Sequence, residues 1–373
     1  SCLVGKKFLS FVFLIIRVSQ IMKVSIKDNL SKKILIWYDK NKRDLPWRKS
    51  KKDLNPYQTW ISEIMLQQTT VEAVIPYFHK FTSKWPTIKK LSESNIEDIM
   101  DAWSGLGYYS RAKNIHKTAK IISNEFNNQI PNNYEELIKL PGIGPYTAGA
   151  ILTIAYNKKA SVIDSNIERI ILRIQGIKKP KEKVKKELIK ISEELCPDVR
   201  SGDYVQAMMD LGSAICKPNN PKCNLCPIKK FCYSYKNNLT NLIPIKKQRK
   251  PIKIRKANLF WIVSNQNRVL LRRRPLSGLL PGMLEFPSSD WINENKEYKK
   301  EISFPFKGNW KPVYGNVIHT FSHFQLSLKI YICRDVNERK LDGIWKNEND
   351  IPDLDLPSLM KKVYKHVFSN NKN

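Results

Sequence analysis

Residues 140–151 read "LPGIGPYTAGAI". Two glycines and two prolines sit between apolar runs, a pattern that predicts a tight turn joining two helices. Gly142 and Gly144 leave their backbone amides unshielded, and the following helix starts near Pro145. A helix N-terminus with bare amides is a natural phosphate site. An ordinary corner between two helices has the same sequence, so the stretch alone leaves both readings open.

Outward from this turn, residues 25–235 read as helices joined by short turns. Apolar residues recur at helical spacing in "SKKILIWYDKN" (31–41), "TWISEIMLQQT" (59–69), "IPYFHKFTSKW" (75–85) and "NIEDIMDAW" (95–103). Beyond the turn, helices are expected over 147–156, 165–174, 182–195 and 204–216. The character changes at "KNNLTNLIPIKKQRKPIKIRK" (236–256), which is basic, poor in helix signals and reads as a linker. "ANLFWIV" (257–263) and "RVLLRRR" (268–274) then read as a hairpin, "QLSLKIYIC" (325–333) as an alternating strand, and 356–368 as a closing helix. The expectation is a mainly helical domain over 22–235 and a smaller α/β domain over 257–373. Residues 1–21 carry a basic, then apolar, then polar run too short to cross a bilayer. They read as a non-native extension or a targeting segment.

The 373 residues carry 65 basic against 34 acidic side chains, a net charge of +31. That excess points to a polyanion, most simply nucleic acid. A drift toward Lys, Asn and Ile along the whole chain would also produce it. Of seven cysteines, four cluster as C-x6-C-x2-C-x5-C: Cys216, Cys223, Cys226 and Cys232. This is not a secreted disulfide framework. Thiolates this close repel unless a cation holds them, so a structural metal centre is expected. Spacing alone leaves zinc and iron–sulfur both open.

Two carboxylates stand out. Glu63 lies among Trp60, Ile61, Ile64 and Met65, where burial would raise its pKa toward that of a general acid. A first-turn glutamate complementing a helix dipole is the plainer reading. Asp164 ends "ASVID" and precedes "SNIERI", an N-cap position. A cap carboxylate facing a cleft could also steady a developing positive charge.

Taken together, these residues resemble the helix–hairpin–helix DNA glycosylases of the endonuclease III superfamily, and within it the branch that removes adenine. "LPWR" (45–48), "SEIMLQQT" (62–69), "GLGYYSRAKNIH" (105–116), the opening turn, "VIDSNIERI" (162–170), "QAMMDLGSAIC" (206–216) and the four cysteines carry the likeness. It implies a two-lobed helical domain with a cysteine loop (216–232) holding one [4Fe–4S] cluster. It implies that adenine paired with 8-oxoguanine or guanine is flipped from duplex DNA and hydrolysed from its sugar. Glu63 would protonate the base at N7, and Asp164 would stabilise the oxocarbenium-like sugar. Tyr146, Asn166, Arg48 and Gln206 match positions lining that pocket, and Gln68 and Tyr108 match residues that wedge into the base stack. Gly142 and Gly144 would grip the DNA backbone.

The C-terminal domain resembles a Nudix-like domain that reads 8-oxoguanine, through "RRRPLSGLLPGMLEFP" (272–287) and "HTFSHFQL" (319–326). By match, Ser322 and His323 contact the oxidised base. The clustered glutamates of a working Nudix hydrolase are absent after Gly282, so hydrolysis of free nucleotides is not expected. Where bifunctional relatives hold a Schiff-base lysine, this chain has Tyr146, which predicts base removal without strand cleavage. Ser165 stands where the family usually has glycine, a minor departure at a helix start. A monomer in a DNA-containing compartment, with no membrane association, completes the expectation.

Overall fold

The computed structural model describes residues 28–48, 54–245, 252–275, 278–293, 302–321 and 323–370. The expected targeting or extension segment (1–21) and Ser322 lie outside the described residues. The helical part runs α1 (28–41), α2 (Pro56–Leu66), α3 (Val71–Lys84), α4 (Ile88–Ser92), α5 (Ile96–Ala102), α6 (Ser110–Glu125), α7 (Tyr134–Leu137) and α8 (Pro145–Ala150). It continues with α9 (Ser165–Gln175), α10 (Lys185–Leu195), α11 (Ser201–Ala214) and the short α12 (Tyr233–Lys236). The C-terminal part carries β1 (Lys253–Ser264), β2 (Arg268–Arg273), β3 (Leu284–Glu285), β4 (Ile292–Asn293), β5 (Lys311–Thr320), β6 (Phe324–Val336), β7 (Ile344–Asn347) and the closing α13 (Ser358–Asn370). The expected fold class, mainly helical with a smaller C-terminal α/β part, is what forms.

Contacts group the chain into two compact units. One takes residues up to Ser92 together with Lys117–Gln248; the other takes Glu93–His116 together with the chain from Arg249. Within the second unit Ser104 Oγ donates to the Asp355 carbonyl at 2.9 Å. Asp101 pairs with Arg273 at 3.6 Å. The segment carrying Tyr108 is thereby fastened to the C-terminal chain.

In the first unit, α9 is the central rod. Asp164 caps its N-terminus, accepting from the Asn166 and Ile167 amides at 3.0 and 2.7 Å. Its C-terminus stops at Gly176, whose φ of +68 requires glycine, and the Tyr233 ring covers that residue so closely that a Cβ would meet it at 2.1 Å. Ile167, Ile170, Ile171 and Ile174 pack with Leu30, Ile34 and Tyr38 of α1 and with Tyr204, Val205, Met208 and Leu211 of α11. Glycines let these elements approach. Gly149 lies against the Ser161 carbonyl and Gly202 against the Thr153 carbonyl, where a Cβ would come within 2.3 and 2.5 Å. The helix expected over 147–156 is α8 followed by a π-helical turn, Ile151–Ala155. Such turns recur beside functional sites, and this one receives Gly202 of α11.

In the second unit the sheet order is β3-β2-β1-β6-β5, with β4 paired to β1 and β7 to β2. β1 and β2 form the expected antiparallel hairpin, while β1 and β6 run parallel. β1 begins at Lys253, inside the stretch expected as linker, because Lys253–Lys256 already pair with Phe324–Ser327. One sheet face packs on Leu359, Met360, Val363 and Val367 of α13. The other is covered by Phe304, Phe306 and Trp310. No helix forms between Gly282 and Asn293. The glutamate there, Glu285, is buried and committed to Arg272 and Arg274.

Candidate active site

α2 is buried along nearly its whole length, and this puts Glu63 inside the protein. Its carboxylate is 5% exposed and accepts a hydrogen bond from the Tyr146 hydroxyl at 2.7 Å. Burial pushes its pKa up from the usual carboxylate range to about 7, and the negative charge of Asp164 adds to the rise. The Tyr146 bond and the nearby Arg48 charge pull the other way. The Tyr146 phenol is itself raised well above its ordinary value by burial and by Glu63. A second tie between α2 and the turn region runs from Gln67 Nε2 to Thr147 Oγ1 at 3.2 Å.

Glu63, Arg48 and Gln206 line one cavity of ≈ 50 Å³ with Trp47, Ser62 and Met209. That is room for a few waters. Arg48 is not free within it. Its guanidinium is clamped in a fork by Asp210, at 2.6 and 3.0 Å, and lies 5.9 Å over the Tyr38 ring. Asp210 also accepts from Arg43 Nε at 2.7 Å.

Asp164 and Asn166 are held as one piece. Asn166 Nδ2 donates to Asp164 Oδ2 at 2.8 Å, and Arg169 Nη2 donates to Asn166 Oδ1 at 2.9 Å. Arg169 in turn reaches the Gly212 and Cys216 carbonyls at 2.8 and 2.7 Å. Gly212 lets α11 lie against Asn166, where a Cβ would approach the Asn166 Cβ to 2.4 Å. Gly212→Ala should therefore cost about 1–3 kcal/mol from overpacking. It should also slow any chemistry that uses Asp164, as thermal melts and single-turnover rates would read.

The opening turn sits before α8. Gly142 has φ +81, a left-handed conformation that glycine supplies, and the Thr118 hydroxyl pins the turn through the Pro141 carbonyl at 2.8 Å. Gly144 is the N-cap of α8, and a Cβ added there would meet nothing within 4 Å. Among the described residues nothing requires glycine at that position. Gln68 and Tyr108 are both exposed and both adopt left-handed backbone, φ 58 and 47. Non-glycine residues in that region store strain and cluster at working sites. His323 is exposed at the start of β6.

Cys216, Cys223, Cys226 and Cys232 line a single cavity with Arg173 and Tyr235. Among the described residues no three His, Cys, Asp or Glu side chains close on one ion.

Of the residues the sequence singles out, Glu63 and Tyr146 are hydrogen-bonded, Arg48 and Gln206 line the cavity of Glu63, and Asp164 and Asn166 are bonded to each other; Asp210, Arg43, Arg169 and Gly212, which hold them in place, are not singled out by the sequence. The one available signal was Asp210, a lone acid in the otherwise apolar face of "YVQAMMDLGSAIC" (204–216).

Comparison with known proteins follows the same division. The family model described as HhH-GPD superfamily base excision DNA repair protein matches residues 61–196. A NUDIX domain model matches residues 258–366. The adenine DNA glycosylase of Buchnera aphidicola subsp. Baizongia pistaciae is 39% identical over 347 residues, covering 91% of this chain and 96% of that protein. The adenine DNA glycosylase of Rattus norvegicus is 33% identical over 396 residues, covering 89% and 76%. Among solved structures, a thermostable thymine-DNA glycosylase matches 57% of this chain and 98% of its own, with 28% identity and a TM-score of 0.52.

Proposed function

This chain belongs to the adenine DNA glycosylase family, and from that premise we propose that it hydrolyses the N-glycosidic bond of adenine paired with 8-oxoguanine or guanine in duplex DNA. The observation that carries the reading is Glu63, a buried carboxyl with a pKa of about 7, bonded to Tyr146 and facing the same cavity as Arg48 and Gln206. A carboxyl of that pKa is substantially protonated at neutral pH and can still lose its proton, as a general acid must. Glu63 gives its proton to the N7 of a flipped adenine, which leaves as the neutral base. The sugar left behind carries positive charge. Asp164, fixed by two backbone amides and Asn166, lies near enough to Glu63 to raise its pKa and stabilises that charge. Glu63, now a carboxylate, activates the water that completes hydrolysis.

Gly142 and Gly144 hold the DNA backbone at the amides of the turn; the empty space over Gly144 leaves room for a phosphate. Gln68 and Tyr108 enter the base stack. Ser322 and His323 read the 8-oxoguanine. As the family resemblance implies, Cys216, Cys223, Cys226 and Cys232 would hold a [4Fe–4S] cluster; the four line one cavity, and four cysteine thiolates are the ligand set such a cluster takes. Bound there, it supplies a one-electron couple and ties the loop carrying Lys217 and Lys222. The protein acts as a monomer.

Tyr146 offers a phenol where Schiff-base chemistry needs an amine. Duplexes containing 8-oxoguanine:A, G:A and 8-oxoguanine:C test the whole reading. Adenine strands of the first two should break only after alkali, and the third duplex should stay intact. Nicking without alkali would assign a lyase instead, equal attack on the third duplex would remove the selectivity for adenine, and equal rates on the first two would remove the lesion-reading role.

A further inference from the structure

Arg173 lies in the third turn of α9 and its side chain is 1% exposed. Each of its three nitrogens is engaged. Nε donates to the Ile243 carbonyl at 2.8 Å and Nη2 to the Pro218 carbonyl at 3.0 Å. Nη1 donates to the Lys217 carbonyl at 2.8 Å and reaches the Cys216 sulfur at 3.3 Å. The Arg173 carbonyl faces the Cys232 sulfur at 3.5 Å. A guanidinium cannot shed its charge, and a buried cation lacking a counter-charge is costly. Among the described residues no carboxylate pairs with Arg173. The partner able to carry negative charge is the Cys216 sulfur, in the cavity that Arg173 lines with all four cysteines.

We propose that Arg173 is the counter-charge of the group held by the four cysteines, seating their loop and favouring that group's reduced, more negative state. This rests on the iron–sulfur reading above. Arg173 is a positioning residue: its bonds to the Cys216, Lys217 and Pro218 carbonyls and to the Cys216 sulfur fix the loop, and none reaches the Glu63 cavity. Positive charge and hydrogen bonds at cluster sulfurs raise a reduction potential, so losing them should lower it.

The test compares holoprotein carrying wild-type Arg173, Arg173→Gln and Arg173→Lys by voltammetry and by timed iron release to a chelator. Arg173→Gln should show a midpoint shifted to more negative potential and iron release about tenfold faster or more, the scale on which metal-orienting partners act. Arg173→Lys keeps the charge and loses the fork, so its midpoint should stay near wild type while iron release still quickens. An Arg173→Gln protein with wild-type midpoint and release rate would overturn the proposal. If neither variant folds, wild-type holoprotein carrying nitrogen-15 in arginine alone decides it by pulsed electron paramagnetic resonance. Coupling from a guanidinium nitrogen is expected, and its absence overturns the proposal. Wild-type protein that binds zinc, or no iron, sinks the iron–sulfur reading itself, an outcome distinct from an unshifted variant.

Discussion

Glu63→Gln is expected to lower single-turnover adenine excision by about 10²–10⁴-fold, the contribution of a positioned general acid. Binding to the same duplex should hold within a few-fold, because the amide fills the same space and can still accept from Tyr146. The variant should also change stability in a pH-dependent way. Glu63 has a higher pKa folded, about 7, than unfolded, 4.5. Between those values the folded state binds the extra proton, so wild-type stability falls as pH rises through that window. The shift corresponds to roughly 3 kcal/mol once the group is fully ionised. Glutamine carries no such penalty. The melting temperature of Glu63→Gln relative to wild type should therefore climb from pH 5 to pH 8. A difference that stays constant over that range would mean the folded and unfolded pKa values coincide.

Asp210→Ala should be the most destabilising single change at the site, at about 3–5 kcal/mol. Asp210 is 2% exposed and answers two arginines. The Arg43 side chain, 38% exposed, can turn to water when its partner is removed; Arg48, at 10%, cannot. The alanine would leave a guanidinium buried and unpaired beside Glu63. Replacing Arg48 and Asp210 together by Met and Leu should recover most of the lost stability, since both charges then go. Excision should not recover, because the cavity would lack the arginine. Urea midpoints of Arg48→Met, Asp210→Leu and the double variant measure the coupling. Additive effects would mean that the pair is not a unit.

What was legible in the sequence was local. Glu63 among apolar neighbours, Asp164 at a helix start, the glycines of the turn and four cysteines within a short loop each announce themselves within a few positions. The hydrogen bond from Tyr146 to Glu63 spans 83 positions, and the Arg48–Asp210 pair spans 162. No local pattern encodes such meetings; tertiary packing makes them. Gly212 reads as a small residue in a helix until Asn166 is seen against it. Arg169 and Arg173 read as the polar face of an amphipathic helix, yet both are buried against the cysteine loop, because that loop covers α9 with its carbonyls. The expected linker overlaps β1 because three of the four residues in "KIRK" (253–256) are basic. Its pairing with Phe324–Ser327 outweighs that composition.

The most direct measurement of the central claim is the pH dependence of free adenine released in a single turnover from an 8-oxoguanine:A duplex at saturating protein. A buried Glu63 acting as the acid predicts a rate that falls above about pH 7, by about tenfold per unit once the carboxyl is mostly ionised. A rate that stays level or rises from pH 6 to 8.5, or no adenine released at all, would contradict the account.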